Sequence, residues 1–152
     1  MTHPNRLLID LSAIRHNVNV LRECAGPGVA LMAVVKANAY GHGTVPAARA
    51  ALQAGAAWCG VSCVPEGIAL REAGISAPIL VMGYTPASLA HDAIAFDLRV
   101  NLFDVKLARA FSEVAVALQK PCRAHIKIDT GMGRLGPLPE HAGEVIEAIA
   151  HL

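Results

Sequence analysis

Short apolar runs alternate along the chain with longer segments in which apolar residues recur at every third or fourth position. The short runs predict β-strands at residues 7–10, 29–35, 58–63, 78–82, 98–102 and 122–128. The longer segments predict α-helices at residues 12–24, 44–54, 65–73, 86–95, 104–118 and 139–152, with Ser12 and Asp104 as N-terminal caps. Because single helices separate the strands, we expect parallel pairing with right-handed crossovers.

Two α/β architectures fit this order of elements: a doubly wound open sheet and a parallel (β/α)8 TIM-type barrel. No Gly-x-Gly-x-x-Gly sequence follows the first strand, so a dinucleotide-binding fold has little support. A complete barrel needs eight strands and typically about 250 residues, whereas this chain has 152 residues. We therefore expect only the first five to six βα units, an incomplete barrel with an unpaired strand edge.

The composition mainly excludes classes of binding partner. Hydrophobic residues make up 54% of the chain and charged residues 16%, with a mean hydropathy of +0.43, which indicates many buried strands. A net charge of +1 and an aromatic content of 4% provide no basis for binding nucleic acid. The polar N-terminus and the interruption of the next apolar run at Asp10 predict neither a signal peptide nor a membrane span.

The cysteines and histidines show no metal-binding pattern. Cys24, Cys59, Cys63 and Cys122 form no Cys-x-x-Cys pair and no zinc motif, and no two of the seven histidines have a metal-ligand spacing. Cys59 and Cys63 flank an apolar strand, where we expect buried free thiols. A reducing cytoplasm is the simplest setting for such a chain.

Lys36 ends one of the predicted buried strands. It follows an apolar run at residues 31–35 and precedes small and polar residues and a Gly-His-Gly turn at 41–43. Poorly hydrated surroundings favour the neutral, nucleophilic form of a lysine, which forms a Schiff base with a carbonyl compound. The alternative is a lysine that extends its ammonium group into water. The local pattern leaves both interpretations open.

A second polar group follows the last predicted strand. His125, Lys127 and Asp129 alternate with isoleucines, so one face of this strand is polar, as expected near a site at a barrel strand end. A glycine-rich loop then carries Arg134. The planar guanidinium of arginine makes two parallel hydrogen bonds to a carboxylate. The alternative is an ordinary loop with a solvated arginine.

Both stretches resemble signatures of alanine racemases. The string Lys-Ala-Asn-Ala-Tyr-Gly-His-Gly at residues 36–43 resembles the pyridoxal-phosphate lysine motif of that family. Lys-Ile-Asp-Thr-Gly-Met-Gly-Arg-Leu-Gly at 127–136 resembles its second signature, and residues 66–75 and 78–83 also look like the family. The resemblance covers nearly the whole chain. It implies that residues 1–152 are the N-terminal part of the pyridoxal-phosphate-binding barrel domain, without the family's C-terminal β-domain.

The resemblance also implies roles for single residues. Lys36 corresponds to the lysine that holds pyridoxal phosphate covalently and serves as the base on the D-alanine side. Tyr40 corresponds to a tyrosine that contacts the cofactor phosphate. Arg134 corresponds to the arginine near the cofactor's phenolic oxygen and the substrate carboxylate. Lys127 corresponds to a lysine that is often carbamylated in the family.

Three further residues are expected to have structural or undefined roles. Asp129 is expected to shape its loop rather than to touch the substrate. His42 is expected to be a packing residue, since a lone histidine is usually one. Tyr84 follows a predicted strand end and rims the site without a specific role.

The implied activity is the interconversion of L-alanine and D-alanine for peptidoglycan synthesis by a cytoplasmic homodimer. Racemisation needs a base on each face of the substrate, and the family's second base is a tyrosine of the C-terminal β-domain of the partner subunit. The 152-residue chain is therefore expected to be an inactive segment by itself. Two alternatives stay open: a non-catalytic pyridoxal-phosphate-binding or homeostasis protein, and a racemase for serine or a broader range of amino acids.

Overall fold

The computed structural model describes residues 6–152 as a parallel β-sheet with helices packed on one face. The strands are β1 (Met32–Val34), β2 (Trp58–Val61), β3 (Ile79–Val81), β4 (Arg99–Leu102) and β5 (Ala124–Ile126). The helical elements are α1 (Leu11–Ala25), α2 (Lys36–Tyr40), α3 (Thr44–Gln53), α4 (Val64–Glu72), α5 (Ala90–Ala95), α6 (Val105–Leu118) and α7 (Pro139–Ala150), with a 3-10 turn at Ala87–Leu89 before α5.

The strands follow one another in the sheet in the order in which they occur in the sequence. Each of β1 to β4 pairs in parallel with the next strand. A doubly wound sheet would reverse its direction at a switch point, whereas a barrel adds every new strand on the same side. The prediction of an incomplete barrel is therefore confirmed, and the doubly wound alternative is wrong.

The sheet is curved as a barrel requires. In a flat sheet, three strand spacings would separate β2 from β5 by roughly 14 Å. The rings of Trp58 on β2 and His125 on β5 nevertheless meet edge to face, with their centroids 5.7 Å apart. The guanidinium carbon of Arg99 on β4 lies 4.6 Å from the Trp58 ring centroid. These three side chains share the concave face, which confirms the inward polar position predicted for His125.

The hydrophobic core lies between the convex face of the sheet and the helices. Alternate strand residues point to opposite faces, so every second side chain of β2, β3 and β4 lies in this layer. The strand side chains buried in it are Cys59, Val61, Ile79, Val81, Val100 and Leu102. Leu70 of α4 and Phe111 of α6 are fully buried against them. The remaining strand positions face the concave side, where the strand ends are free to form a site.

The strand predicted at residues 7–10 is wrong. These residues have no regular secondary structure, and Leu7 and Leu8 are 78% and 87% exposed because no neighbouring strand pairs with them. Asp10, rather than Ser12, caps α1. Its carboxylate accepts hydrogen bonds from the backbone N–H groups of Ser12 (2.8 Å) and Ala13 (3.3 Å). The cap at Asp104 is confirmed, since its carboxylate accepts the N–H of the third residue of α6.

The prediction that Cys63 is buried is wrong, whereas Cys59 is buried as expected. Strand β2 ends at Val61, so Cys63 lies beyond it as the exposed N-cap residue of α4. All four cysteines are free. Burial raises the pKa of the Cys59 thiol to about 11, with a smaller opposing effect of Arg71, so this thiol is chemically inert near neutral pH.

Candidate active site at the carboxyl ends of the strands

A cavity of about 260 Å³ opens where strands β1, β2 and β3 end. Its lining residues are Lys36, Ser62, Met82, Gly83, Arg134 and Leu135. The carboxyl ends of the strands are the part of a barrel where active sites form. The fold therefore brings together the lysine of the first motif and the arginine of the second, which lie far apart in the sequence.

Lys36 is held at the rim of this cavity by the end of β1. The preceding residue, Val35, is 4% exposed, and its N–H donates to the carbonyl oxygen of Gly60 at 2.8 Å. Pairing between β1 and β2 thus continues up to the residue before the lysine. Lys36 itself is half-buried and has one side on the cavity.

The residues after Lys36 form a left-handed turn. Residues 37–40 have φ values between +50° and +55°, and none of them is glycine. Left-handed backbone costs roughly 1–2 kcal/mol for each such residue, and strain of this kind is concentrated at functional sites. Small Ala37 and Ala39 and the tolerant Asn38 make the conformation accessible, but the sequence pattern carries no signal strong enough to predict it.

Asn38 is the hydrogen-bonding centre of this turn. Its carbonyl oxygen accepts the N–H groups of Gly41 (3.0 Å) and Gly43 (2.9 Å). Its side-chain oxygen accepts the N–H of Thr44, the first residue of α3, at 3.2 Å. The turn is thereby tied to the start of the next helix.

His42 belongs to the scaffold of the same turn. Its Nδ1 lies 2.8 Å from the carbonyl oxygen of Ala39, a contact that requires the proton to be on Nδ1. His42 also borders a small apolar cavity against α1 and α3. The residue is exposed, so His42 supports the turn through this hydrogen bond rather than by packing in the core.

Glu66 connects the left-handed turn to the end of β2, and sequence reasoning missed this connection. One oxygen of its carboxylate accepts the N–H of Ala37 at 2.8 Å. The other accepts the N–H of Ser62 at 2.8 Å and the Ser62 hydroxyl at 2.9 Å. Partial burial would raise the pKa of this carboxyl, but the hydrogen bonds from Ser62 and Ala37 outweigh it and lower the pKa. A glutamate in the first turn of a helix that follows a site strand was the available signal.

Asp129 shapes the loop that carries Arg134. The side chain is 7% exposed, and its carboxylate accepts three backbone N–H groups: those of Gly131 and Gly133 at 3.0 Å and that of Arg134 at 2.9 Å. The hydrogen bonds from Gly133 and Gly131 are the main cause of the lowered pKa of this carboxyl. The expected loop-shaping role of Asp129 is confirmed.

Two glycines allow backbone segments of the site to approach each other closely. A Cβ atom at Gly83 would overlap the carbonyl oxygen of Ser62, so only glycine fits between the ends of β2 and β3. At Gly136, where φ is +109°, a Cβ atom would lie 2.6 Å from the carbonyl oxygen of Lys127. Any side chain at either position would force apart the segments that line the cavity.

Lys127 and Tyr40 do not line the cavity that Lys36 and Arg134 share. Strand β5 ends at Ile126, so the strand predicted to reach residue 128 is shorter than expected. Lys127 is half-buried just after it and donates its N–H to the carbonyl oxygen of Leu102 at 2.9 Å. Tyr40 is 63% exposed at the end of the left-handed turn.

Tyr84 also lies outside the cavity lining. It is 53% exposed, and its ring packs against Phe103 with the centroids 5.8 Å apart. This contact joins the loops that follow β3 and β4, so Tyr84 packs beside the site and does not line the cavity.

A larger groove, of about 410 Å³, lies between α6, α7 and the edge strand β5. Its lining is apolar except for Ser112 and Lys120, so it lacks the paired polar groups of the smaller cavity. Within residues 6–152 we find no cluster of three or more His, Cys, Asp and Glu side chains that would hold a metal ion. The helices in the same range are all too short or too polar to cross a membrane.

The cavity combines an amine, a guanidinium and a hydroxyl group. A lysine amine can add to an aldehyde or ketone, and an arginine can hold a carboxylate or another anionic oxygen. The described residues therefore suit a ligand with a carbonyl group and negative charge. Pyridoxal phosphate has both, so the residues present fit this cofactor.

Comparison with known proteins gives a consistent result. The profile of the family described as "Alanine racemase, N-terminal domain" matches residues 9–152. The alanine racemase of Symbiobacterium thermophilum is 47% identical over 95% of this chain, and that of Nostoc sp. is 49% identical over 95% of it. The solved alanine racemase of Clostridium difficile 630 superposes on 97% of this chain with a TM-score of 0.91 and 34% identity.

The chain corresponds to only part of these proteins. It spans 38% of the length of the Symbiobacterium and Nostoc relatives and 40% of the Clostridium difficile chain. The similarity is therefore to the N-terminal region of longer proteins.

Proposed function

This chain belongs to the alanine racemase N-terminal domain family, and we propose that it is the cofactor-binding part of a pyridoxal-phosphate-dependent alanine racemase. The observation that carries the proposal is that Lys36 and Arg134 line the same cavity. When bound, pyridoxal phosphate supplies an aldehyde that condenses with a lysine amine and a ring that delocalises the electron pair left when the α-proton departs.

Lys36 is the residue proposed to bind the cofactor covalently. Its Nζ would form the covalent link to the aldehyde group of the cofactor, with release of water. Once a substrate amine had replaced it in that link, the same Nζ would be free to take or return the α-proton on one face. Its place at the rim, half-buried between the ends of β1 and β2, supports both steps.

Arg134 is proposed to orient anionic groups in the cavity. Its planar guanidinium would donate hydrogen bonds to the substrate carboxylate or to the cofactor's phenolic oxygen. The hydrogen bond from its backbone N–H to Asp129 supports this role, because it limits the movement of the loop.

Tyr40 and Lys127 have supporting roles in the proposal. Tyr40, at the end of the turn that begins at Lys36, would contact the cofactor phosphate with its exposed hydroxyl. The Lys127 amine would react with carbon dioxide to give a carbamate and a proton. That negative charge would hold the Arg134 guanidinium by a charge-assisted hydrogen bond.

The proposed activity of the whole protein is the interconversion of L-alanine and D-alanine for peptidoglycan synthesis. In this proposal residues 1–152 are the N-terminal part of the barrel domain, and the second base comes from a C-terminal β-domain of a partner subunit in a homodimer. Free thiols at all four cysteines support a reducing cytoplasm as its location. The names of the relatives favour this activity over a non-catalytic cofactor-binding protein.

The experiment is to change Lys36→Ala in the complete protein that carries this segment. Pyridoxal phosphate is added, the lysine adduct is reduced with borohydride, and the modified peptide is located by mass spectrometry. We expect the adduct on Lys36 in the original protein and neither adduct nor alanine racemisation in the variant, because no other lysine of the described chain lines the cavity.

The matched control is Lys106→Ala, which removes an exposed lysine from the first turn of α6, away from the cavity. We expect normal cofactor attachment and normal racemisation in this control. Racemisation that survives Lys36→Ala would contradict the proposal, and so would an adduct found at a different lysine in the original protein.

A further inference from the structure

Glu66 makes a contact that its own helix does not require. It occupies the first turn of α4, where a carboxylate is favoured by the helix dipole and by free N–H groups. One of its oxygens serves this helix end by accepting the N–H and the hydroxyl of Ser62. The other oxygen reaches across to the turn that follows β1 and accepts the N–H of Ala37 at 2.8 Å.

The Ala37 N–H belongs to the peptide group that directly follows Lys36. A hydrogen bond to this group restricts the backbone rotation that determines where the Lys36 side chain points. It also restrains the entry into the left-handed turn, which begins with Ala37 at φ +50°. Because left-handed backbone costs roughly 1–2 kcal/mol for a residue other than glycine, the conformation depends on such restraints.

Glu66 acts without touching the cavity. Its side chain does not line the cavity. Of its two hydrogen-bond partners, Ser62 lines the cavity, and Ala37 directly follows Lys36, which also lines it. The ion pairs found within residues 6–152 do not include one between Glu66 and Lys36. The contact of Glu66 with the lysine segment is therefore the backbone hydrogen bond at Ala37 rather than a side-chain ion pair.

We propose that Glu66 is a positioning residue for Lys36: by holding the peptide group between Lys36 and Ala37 against the end of β2, its carboxylate presents the lysine amine to the cavity. The inference rests on the proposed attachment of pyridoxal phosphate to Lys36. It adds a residue of α4 to a site otherwise built from strand ends and the Arg134 loop.

The test uses two substitutions of Glu66 in the complete protein. Glu66→Asp keeps the negative charge in the first turn of α4 but is one methylene group too short to reach both Ser62 and Ala37. Glu66→Gln keeps the length but replaces one acceptor oxygen by an N–H₂ group, which cannot accept a hydrogen bond. The matched control is Glu140→Gln, since Glu140 is exposed in the first turn of α7 and also follows a proline.

The main measurement is the rate at which added pyridoxal phosphate becomes attached to Lys36, trapped with borohydride and located by peptide mass. Urea unfolding of each variant establishes that the compared proteins are folded. We expect both Glu66 variants to attach the cofactor on the order of tenfold or more slowly, since a displacement of about 1 Å is enough to slow a reaction strongly. Glu140→Gln should attach it at the original rate. In both Glu66 variants, faster amide hydrogen exchange at Ala37 should accompany the slower attachment.

Attachment at the original rate in folded Glu66→Asp and Glu66→Gln would overturn the inference and leave the proposed function intact. Absence of attachment to Lys36 in the original protein would instead overturn the proposed function, and this inference with it. If Glu66→Gln does not fold, Glu66→Asp decides the question. Failure of both variants to fold would assign Glu66 to the stability of the chain and overturn its positioning role.

Discussion

At the residue scale, carboxylates organise the candidate site from outside its cavity. Asp129 accepts three backbone N–H groups of the loop that ends at Arg134, and Glu66 accepts one next to Lys36. Neither carboxylate lines the cavity. Hydrogen bonds to a charged acceptor are stronger than those between neutral groups. The two reactive side chains are thus each fixed through their backbone.

Asp129→Asn should weaken the Arg134 loop in a pH-dependent way. The amide keeps one acceptor oxygen but loses the one that receives the Arg134 N–H. Because folding lowers the pKa of the Asp129 carboxyl, its stabilising effect is complete above its unfolded pKa, about 3.9, and disappears as the pH falls through the lower folded value. We expect a lower melting temperature for the variant at pH 7 and a shrinking difference below about pH 4.

The control for this prediction is Asp92→Asn. Asp92 is half-exposed, and the hydrogen bond found for its carboxylate within residues 6–152 is the one to neighbouring His91. We expect little change in melting temperature. A difference for Asp129→Asn that stayed constant from neutral to strongly acidic pH would contradict the assignment of the effect to the carboxylate.

At the element scale, the left-handed turn α2 determines how Lys36 leaves its strand. Four successive residues with positive φ lead into Gly41, which has φ +92°. The turn reverses the chain within a few residues and connects β1 to α3. A right-handed helical turn would direct the chain differently, so the strain at residues 37–40 is part of the geometry of the site.

Gly41→Ala should destabilise the protein by about 1 kcal/mol. The backbone penalty of a positive φ for alanine is roughly 1–2 kcal/mol, and the lower entropy of the unfolded chain offsets part of it. No other atom of the described residues lies within 4 Å of a Cβ placed at this position, so the effect comes from the backbone alone. The measurement is the free energy of unfolding from urea titration.

Gly143→Ala is the matched control because the expected change has the opposite sign. Gly143 lies inside α7, and the position that a Cβ atom would take there is also surrounded by open space. Alanine is favoured over glycine in a helix interior by roughly 0.5–1 kcal/mol. If both substitutions shifted the free energy of unfolding in the same direction, positive φ at Gly41 would not be the cause.

At the scale of the whole molecule, the described chain is one side of a barrel. Strands β1 and β5 form the two edges of the sheet, and the cavity opens between strand ends and one loop. Among the described residues that line it, Lys36 carries the only amine. In the proposed function this amine is the base for one face of a substrate.

The 152-residue chain by itself should not racemise alanine faster than free pyridoxal phosphate does. The physical reason is that racemisation needs a proton donor or acceptor on each face of the substrate carbon. The assay is the formation of D-alanine from L-alanine with added cofactor, with the complete alanine racemase of Nostoc sp. as a positive control. Turnover by the 152-residue chain would contradict the prediction and require a second base within it.

Much of the architecture follows from local sequence patterns. Five of the six predicted strands occur, because short apolar runs between amphipathic segments have few alternatives in a parallel α/β fold. The exception, residues 7–10, shows the limit: an apolar run becomes a strand only where a neighbour pairs with it. The prediction for Cys63 was wrong for a related reason, since the end of β2 depends on the strands that pair with it.

The sequence by itself determined the order of elements, the cap at Asp104 and the two motifs that contain Lys36 and Arg134. Only the tertiary structure decided that these two side chains share a cavity, that residues 37–40 turn to the left, and that Glu66 holds the peptide after Lys36. Periodicity and caps are local properties, encoded within a few residues. A contact between a helix carboxylate and the end of another strand depends on which strands are neighbours. Strand neighbours are determined only when the whole sheet folds around its core.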